Sequence, residues 1–133
     1  MITKNTEFGS LKYFFLLTDI GFILYWLITL FQLIPGEYLF KDYNNPLMFA
    51  WNWSFFPLDL LISFTGLFSI YAEKKGNLIW RKMAIVSLVL TFTSGLQAIS
   101  FWAIQKDFDL NWWIPNLYLL VYPLFFLPKF MLK

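Results

Sequence analysis

Two aspartates stand inside runs of apolar residues, and they are the side chains from which chemistry could start. Asp59 lies about 12 residues into its run, roughly 18 Å deep at a helical rise of ~1.5 Å per residue. Asp19 lies about a third of the way into an earlier run. A carboxylate within a bilayer costs on the order of 2.5–3.5 kcal/mol on insertion scales, so such residues normally face a protein interior or a cavity. Around them the sequence distributes further polar groups at helical spacing. Asn52, Asp59, Ser63 and Gly66 are separated by seven, four and three residues and so share one helix face. Ser87, Thr91, Ser94, Gln97 and Ser100 follow in a third run, and Asn116, Tyr118 and Tyr122 in a fourth. An acid beside aromatic rings suits an amine, through ion pairing and cation–π attraction. A carboxyl withdrawn from water can also act as acid or base on a lipid-like substrate, with Asp59 as the acid and Asp19 or Tyr122 as its partner.

What the chain lacks narrows the choice. It has no cysteine and no histidine. Thiol chemistry, Ser-His-Asp catalysis, haem and iron–sulfur ligation and metalloprotease sites are excluded, and neither a metal nor a cofactor is expected. The net charge is only +2, and the basic residues cluster at the ends of apolar runs, which argues against nucleic acid as a partner.

The elements that must position these residues follow from hydropathy. The chain is 59% hydrophobic and 14% charged, whereas soluble domains average roughly 25% charged. Apolar runs over 13–34, 47–71, 79–104 and 112–130 each approach the ~20 residues needed to cross ~30 Å of hydrocarbon. They are apolar on every face, unlike the alternating strands of a barrel. The expectation is an all-α membrane protein, one domain over 1–133, folded as an antiparallel bundle of four transmembrane helices. The first run is too long for a signal peptide and lacks a cleavage site, so it reads as a retained helix. Residues 37–45 read as an ordered loop with a turn at Tyr43-Asn44-Asn45-Pro46, and Pro115 as a first-turn proline of the fourth helix. Pro57 frees the carbonyl of Trp53, and Pro123 predisposes the fourth helix to kink.

Eight Lys and Arg residues (Lys4, Lys12, Lys74, Lys75, Arg81, Lys82, Lys129 and Lys133) flank one side of the spans, and two, Lys41 and Lys106, flank the other. The positive side faces the cytoplasm, which puts both termini inside. Trp51, Trp53, Trp102, Trp112 and Trp113 gather toward the opposite side and read as an interfacial aromatic belt.

Polar groups on all four runs are expected to converge inside the bundle, where lipid cannot leave them unpaired. Asp59 should bond to a polar group of another helix, with Gln97 and Asn116 as leading partners. The bland alternative is that Ser, Thr, Asn and Gln only join helices, at ~0.6 kcal/mol per bond. The candidate site is therefore a cavity lined by Asp59, Asn52, Gln97, Asn116, Tyr118 and Tyr122, with Asp19 nearby, that holds an apolar or cationic small molecule. The competing readings are a lipid-acting enzyme and an accessory subunit or small exporter, the last forming a homodimer through helix faces such as Ser94 and Gly95. Small multidrug exporters share four helices and an intramembrane acid, but theirs is a glutamate, where this chain has Asp19.

The stretches Asn45-Pro46-Leu47-Met48 and Ala50-Trp51-Asn52-Trp53-Ser54-Phe55-Phe56-Pro57-Leu58-Asp59, with Trp112-Trp113-Ile114-Pro115-Asn116-Leu117-Tyr118, resemble the YvaD-type family of small bacterial membrane proteins. The resemblance covers nearly the whole chain and implies four helices in a bacterial plasma membrane. It implies no activity. An architectural likeness to sterol-isomerase-like and sigma-2-receptor-like four-helix proteins rests on analogy, with no shared motif.

Overall fold

The computed structural model describes residues 8–35 and 44–132. Four α-helices account for nearly all of them: α1 Leu11–Leu30, α2 Pro46–Lys74, α3 Ile79–Ile104 and α4 Leu110–Met131. Each is long and apolar enough to cross a membrane. Helices close most of their backbone hydrogen bonds internally, as a lipid environment requires, and the chain is a multi-pass membrane protein.

Local chemistry sets the boundaries and shifts several of them from the hydropathy runs. α1 stops at Leu30 rather than near Ile34, because Gln32 adopts a left-handed backbone with φ of 54°. Pro46 opens α2 at a position where its missing N–H costs nothing, and the Asn45 side chain caps the amide of Leu47 at 2.9 Å. α2 continues to Lys74 and ends at Gly76, whose φ of 76° suits glycine. α4 begins at Leu110, with Asp109 capping the amide of Asn111 at 2.9 Å. Pro115 therefore lies one and a half turns inside the helix rather than in its first turn, and the carbonyl of Asn111 loses its helical donor. The expected loop over 37–45 lies outside the described residues except for its last two positions. So do Lys4, Lys41 and Lys133 of the charge count.

Successive helices pack antiparallel. The near end of the bundle is where α1 begins and α4 ends; the far end is where α1 ends and α4 begins. Small residues bring backbones together at two seams. A Cβ on Gly95 would come within 2.6 Å of the Leu120 amide nitrogen, so α3 lies directly on α4 there. Ser94 and Gly95 are accordingly buried within the chain. They do not form an outward face, and the dimer surface expected from them is not available. At Gly66 of α2 a methyl group would collide with the carboxylate of Asp19 on α1.

The near half holds an aromatic core. Phe14 of α1 stacks on Tyr122 of α4 with centroids 5.1 Å apart and meets Phe126 edge-on at 5.4 Å. Phe8 stacks on Trp80 at 4.9 Å, and Trp80 meets Phe130 edge-on. Leu17, Leu24, Leu61, Phe64 and Phe125 point outward and are more than half exposed, as a surface facing lipid requires.

Among the described residues serine side chains bond to the backbone of a neighbouring helix at three buried points. Ser63 donates to the Asp19 carbonyl at 2.8 Å, Ser69 to the Trp80 carbonyl at 2.8 Å, and Ser87 to the Ile62 carbonyl at 3.1 Å. Thr65 and Thr91 turn back on their own helices instead.

Candidate functional site

The polar groups that the sequence suggests for one site fall into two. Toward the far end lies a cavity of about 320 Å³ to which all four helices contribute. Its polar lining comes from Asn52 and Asp59 of α2, Ser94 of α3, Asn111 and Asn116 of α4, and Tyr25 of α1. Its rings are Phe22, Trp26, Trp51, Phe55, Trp102 and Trp112.

Asp59 is buried, at 5% exposure. Its Oδ2 accepts a hydrogen bond from the indole Nε1 of Trp26 at 2.9 Å, and its Oδ1 has no partner. Helix geometry explains the meeting: α1 and α2 run antiparallel, and Trp26 reaches the level at which Asp59 follows Pro57. The bond across helices that Asp59 was expected to make therefore exists, but with Trp26 rather than with Gln97 or Asn116. From the residue before Trp26, the Tyr25 hydroxyl donates to Asn52 Oδ1 at 3.0 Å, while Asn52 Nδ2 is buried without a partner. Asn116 uses its own amide locally, donating to the Trp112 carbonyl at 2.7 Å.

Gln97 does not belong to the site. It is exposed on α3 and absent from the cavity wall. The three-residue steps from Ser94 to Gln97 to Ser100 drift by about 60° per step relative to a helix of ~3.6 residues per turn, so Gln97 has already left the inner face set by Ser87, Thr91 and Ser94. Tyr118 and Tyr122 are also absent from the cavity wall. They belong to the second cluster, in the near half.

That cluster centres on Asp19, which is fully buried, with neither carboxylate oxygen partnered. Asp19 lies only about a third of the way into its run, yet it has 0% exposure, because Gly66 lets α2 close over it. Thr18 and Tyr118 share a hydrogen bond of 2.8 Å between α1 and α4, and the Tyr122 hydroxyl is buried with no bond. Seven residues separate Asp19 from Trp26, and seven separate Asp59 from Gly66. The two acids therefore occupy levels of the α1–α2 seam about 10 Å apart at ~1.5 Å per residue. Neither of the partners considered for acid–base catalysis, Asp19 and Tyr122, shares the cavity with Asp59.

Two groups of residues carry more than the sequence reading assigned them. Trp26 is 3% exposed and holds the key acid. The available signal was an indole donor inside an apolar run, seven residues after Asp19. Trp51, Trp102 and Trp112, read as belt residues, line the cavity, and Trp51 stacks on Phe101 with centroids 4.0 Å apart.

Comparison with known proteins places the chain in a family and adds no activity. The chain is 61% identical over 117 residues to the protein named "Uncharacterized protein YvaD" of Bacillus subtilis (strain 168), covering 88% of each chain. No solved structure matches. The model of a family of unknown function, DUF5360, matches residues 11–133. The chain belongs to that family.

Proposed function

We propose that this protein binds a small lipophilic amine in the far-end cavity, with Asp59 as its anion. One observation carries the reading: a buried carboxylate has one oxygen fixed by Trp26 and the other unpartnered, in a cavity walled by four indoles. An ammonium group would complete the hydrogen bonding of Oδ1 and lie against the π faces of Trp51, Trp102 or Trp112. A volume of about 320 Å³ fits a small drug-sized molecule, and its apolar wall suits a ligand that partitions from lipid. In this reading the far end faces outward and the near end, with its excess of Lys and Arg, lies in the cytoplasm of a bacterial cell. The cavity then sits in the outer half of the plasma membrane.

Indole fluorescence gives the test, since four of the chain's seven tryptophans line the cavity. Titration of the purified protein with tetraphenylphosphonium or with 4-phenylbutylamine should give saturable quenching. Asp59→Asn keeps the shape and removes the charge, and it should weaken binding at least about tenfold, or ~1.4 kcal/mol. An uncharged isostere, 4-phenylbutanol, should bind both forms alike. Equal affinity of the wild type and Asp59→Asn for the amine would end this reading.

A further inference from the structure

The Asp19 cluster has a hydrogen-bond balance that the far-end cavity does not explain. Most of the hydroxyls on the helices around it are engaged elsewhere. Ser63 donates to the Asp19 carbonyl, Ser87 to the Ile62 carbonyl and Thr91 to the Ser87 carbonyl, while Thr18 and Tyr118 bond to each other. The buried Tyr122 hydroxyl, and whichever of Thr18 and Tyr118 accepts in their shared bond, keep a proton, but neither oxygen of the Asp19 carboxyl is bonded to them. Among the described residues no basic side chain is borne at this depth: the nearest on α1 is Lys12, seven residues and about 10 Å toward the near end, and the nearest on α3 is Lys82, five residues from Ser87 in the same direction; both are exposed. Among the described residues the other titratable groups within seven residues of this level include Asp59 and Glu73 on α2, each seven residues from Gly66, Arg81 and Lys82 on α3, six and five residues from Ser87 toward the near end, and Tyr118 and Tyr122 on α4; Lys74 and Lys129 lie farther toward the near end.

A fully buried carboxylate with neither oxygen bonded would cost several kcal/mol, so the site calls for a positive particle. Space decides which one. Gly66 packs so tightly on Asp19 that a methyl group would collide with Oδ2, and the Ser87 Oγ stands 3.1 Å from the same point. A proton needs no volume, whereas a metal ion or an ammonium group would have to part α1 from α2. We propose that Asp19 is a proton-binding site of this protein, separate from the Asp59 cavity, which holds its proton in the packed bundle and exchanges it with water through the α1–α4 seam. That seam is the place for exchange because side chains close it, the Thr18–Tyr118 bond and the Phe14–Tyr122 stack, whereas Gly66 closes the α1–α2 seam backbone to side chain.

Infrared spectroscopy of protein with ¹³C-labelled aspartate in lipid vesicles at neutral pH tests this. In the Asp59→Asn variant Asp19 is the one aspartate inside a helix, so a labelled protonated-carboxyl C=O band there reports on it alone. The band should be present, should shift in D₂O as the proton exchanges, and should be missing from the Asp19→Asn, Asp59→Asn double variant. Replacing sodium with choline in the buffer should leave it unchanged. The proposal is overturned if Asp59→Asn shows no such band, if the band fails to shift in D₂O, or if sodium abolishes it. Should the double variant not fold, the single variant and its D₂O response still decide the matter.

Discussion

Trp26 Nε1 donates to Asp59 Oδ2 across 2.9 Å, and this bond ties the last third of α1 to the acid in the cavity wall. It is the one hydrogen bond that the structure gives the Asp59 carboxyl. It holds the acid in one orientation and leaves the other oxygen for a ligand.

Trp26→Phe keeps an aromatic ring against Trp53 and Phe56, which lie 5.0 and 5.3 Å away by centroid, but removes the donor. The expected loss is about 1–3 kcal/mol in detergent unfolding, the cost of a bond to a buried acid. Combined with Asp59→Asn the losses should fall short of additive by ~0.5–3 kcal/mol. Strict additivity would show that the indole acts only as a space filler.

Gly66→Ala should destabilise the bundle because the new methyl group meets the Asp19 carboxylate. Overpacking of this kind costs about 1–3 kcal/mol. Asp19→Ala vacates the same space, so the Asp19→Ala, Gly66→Ala pair should be more stable than Gly66→Ala alone. Thermal unfolding of the three variants measures it. If the second substitution fails to rescue, the close approach of α1 and α2 at this level is not what limits residue 66.

The fold was legible in the sequence because lipid imposes one simple demand, four apolar runs of spanning length, and no packing detail can override it. The acid at position 59 was legible for the same reason, since its cost needs an answer. Its partner was not. A hydropathy scale counts Trp26 as part of an apolar run, although its N–H is the donor that meets the acid. Gln97 was misplaced because seriation by three residues follows a helix face only for a turn or two. The burial of Asp19 was hidden as well: distance from the end of a run suggests access to water, and only the contact between Gly66 and Asp19 shows the cover.

Two substitutions separate the inner face from the outer. Gln97→Leu on exposed α3 surface should change stability by no more than about 0.5 kcal/mol. Asn52→Leu leaves the Tyr25 hydroxyl without its acceptor beside the cavity and should cost about 1–2 kcal/mol. Unfolding in a detergent series reads both. A Gln97→Leu loss equal to that of Asn52→Leu would mean that Gln97 faces a partner that the isolated chain does not show.

Orientation in the membrane can be read by reporter fusions. Lys12, Lys74, Lys75, Arg81, Lys82 and Lys129 all lie at the near end, and α2 and α3 are joined there by the short link that holds Gly76. Lys106 with Asp107 and Asp109 lies in the far-end link between α3 and α4. Positive charges resist transfer across the bacterial plasma membrane, so the near end should stay in the cytoplasm. An alkaline phosphatase reporter, active only outside, should work when fused after Asn44 or Asp109 and fail after Lys75; a green fluorescent reporter should do the reverse. Reversing the charge at Lys74, Lys75, Arg81 and Lys82 should weaken or invert the pattern, because the bias is then lost at the central link. The opposite result for the native chain would place the Asp59 cavity in the inner half of the bilayer, and its ligand would then have to come from the cytoplasmic side.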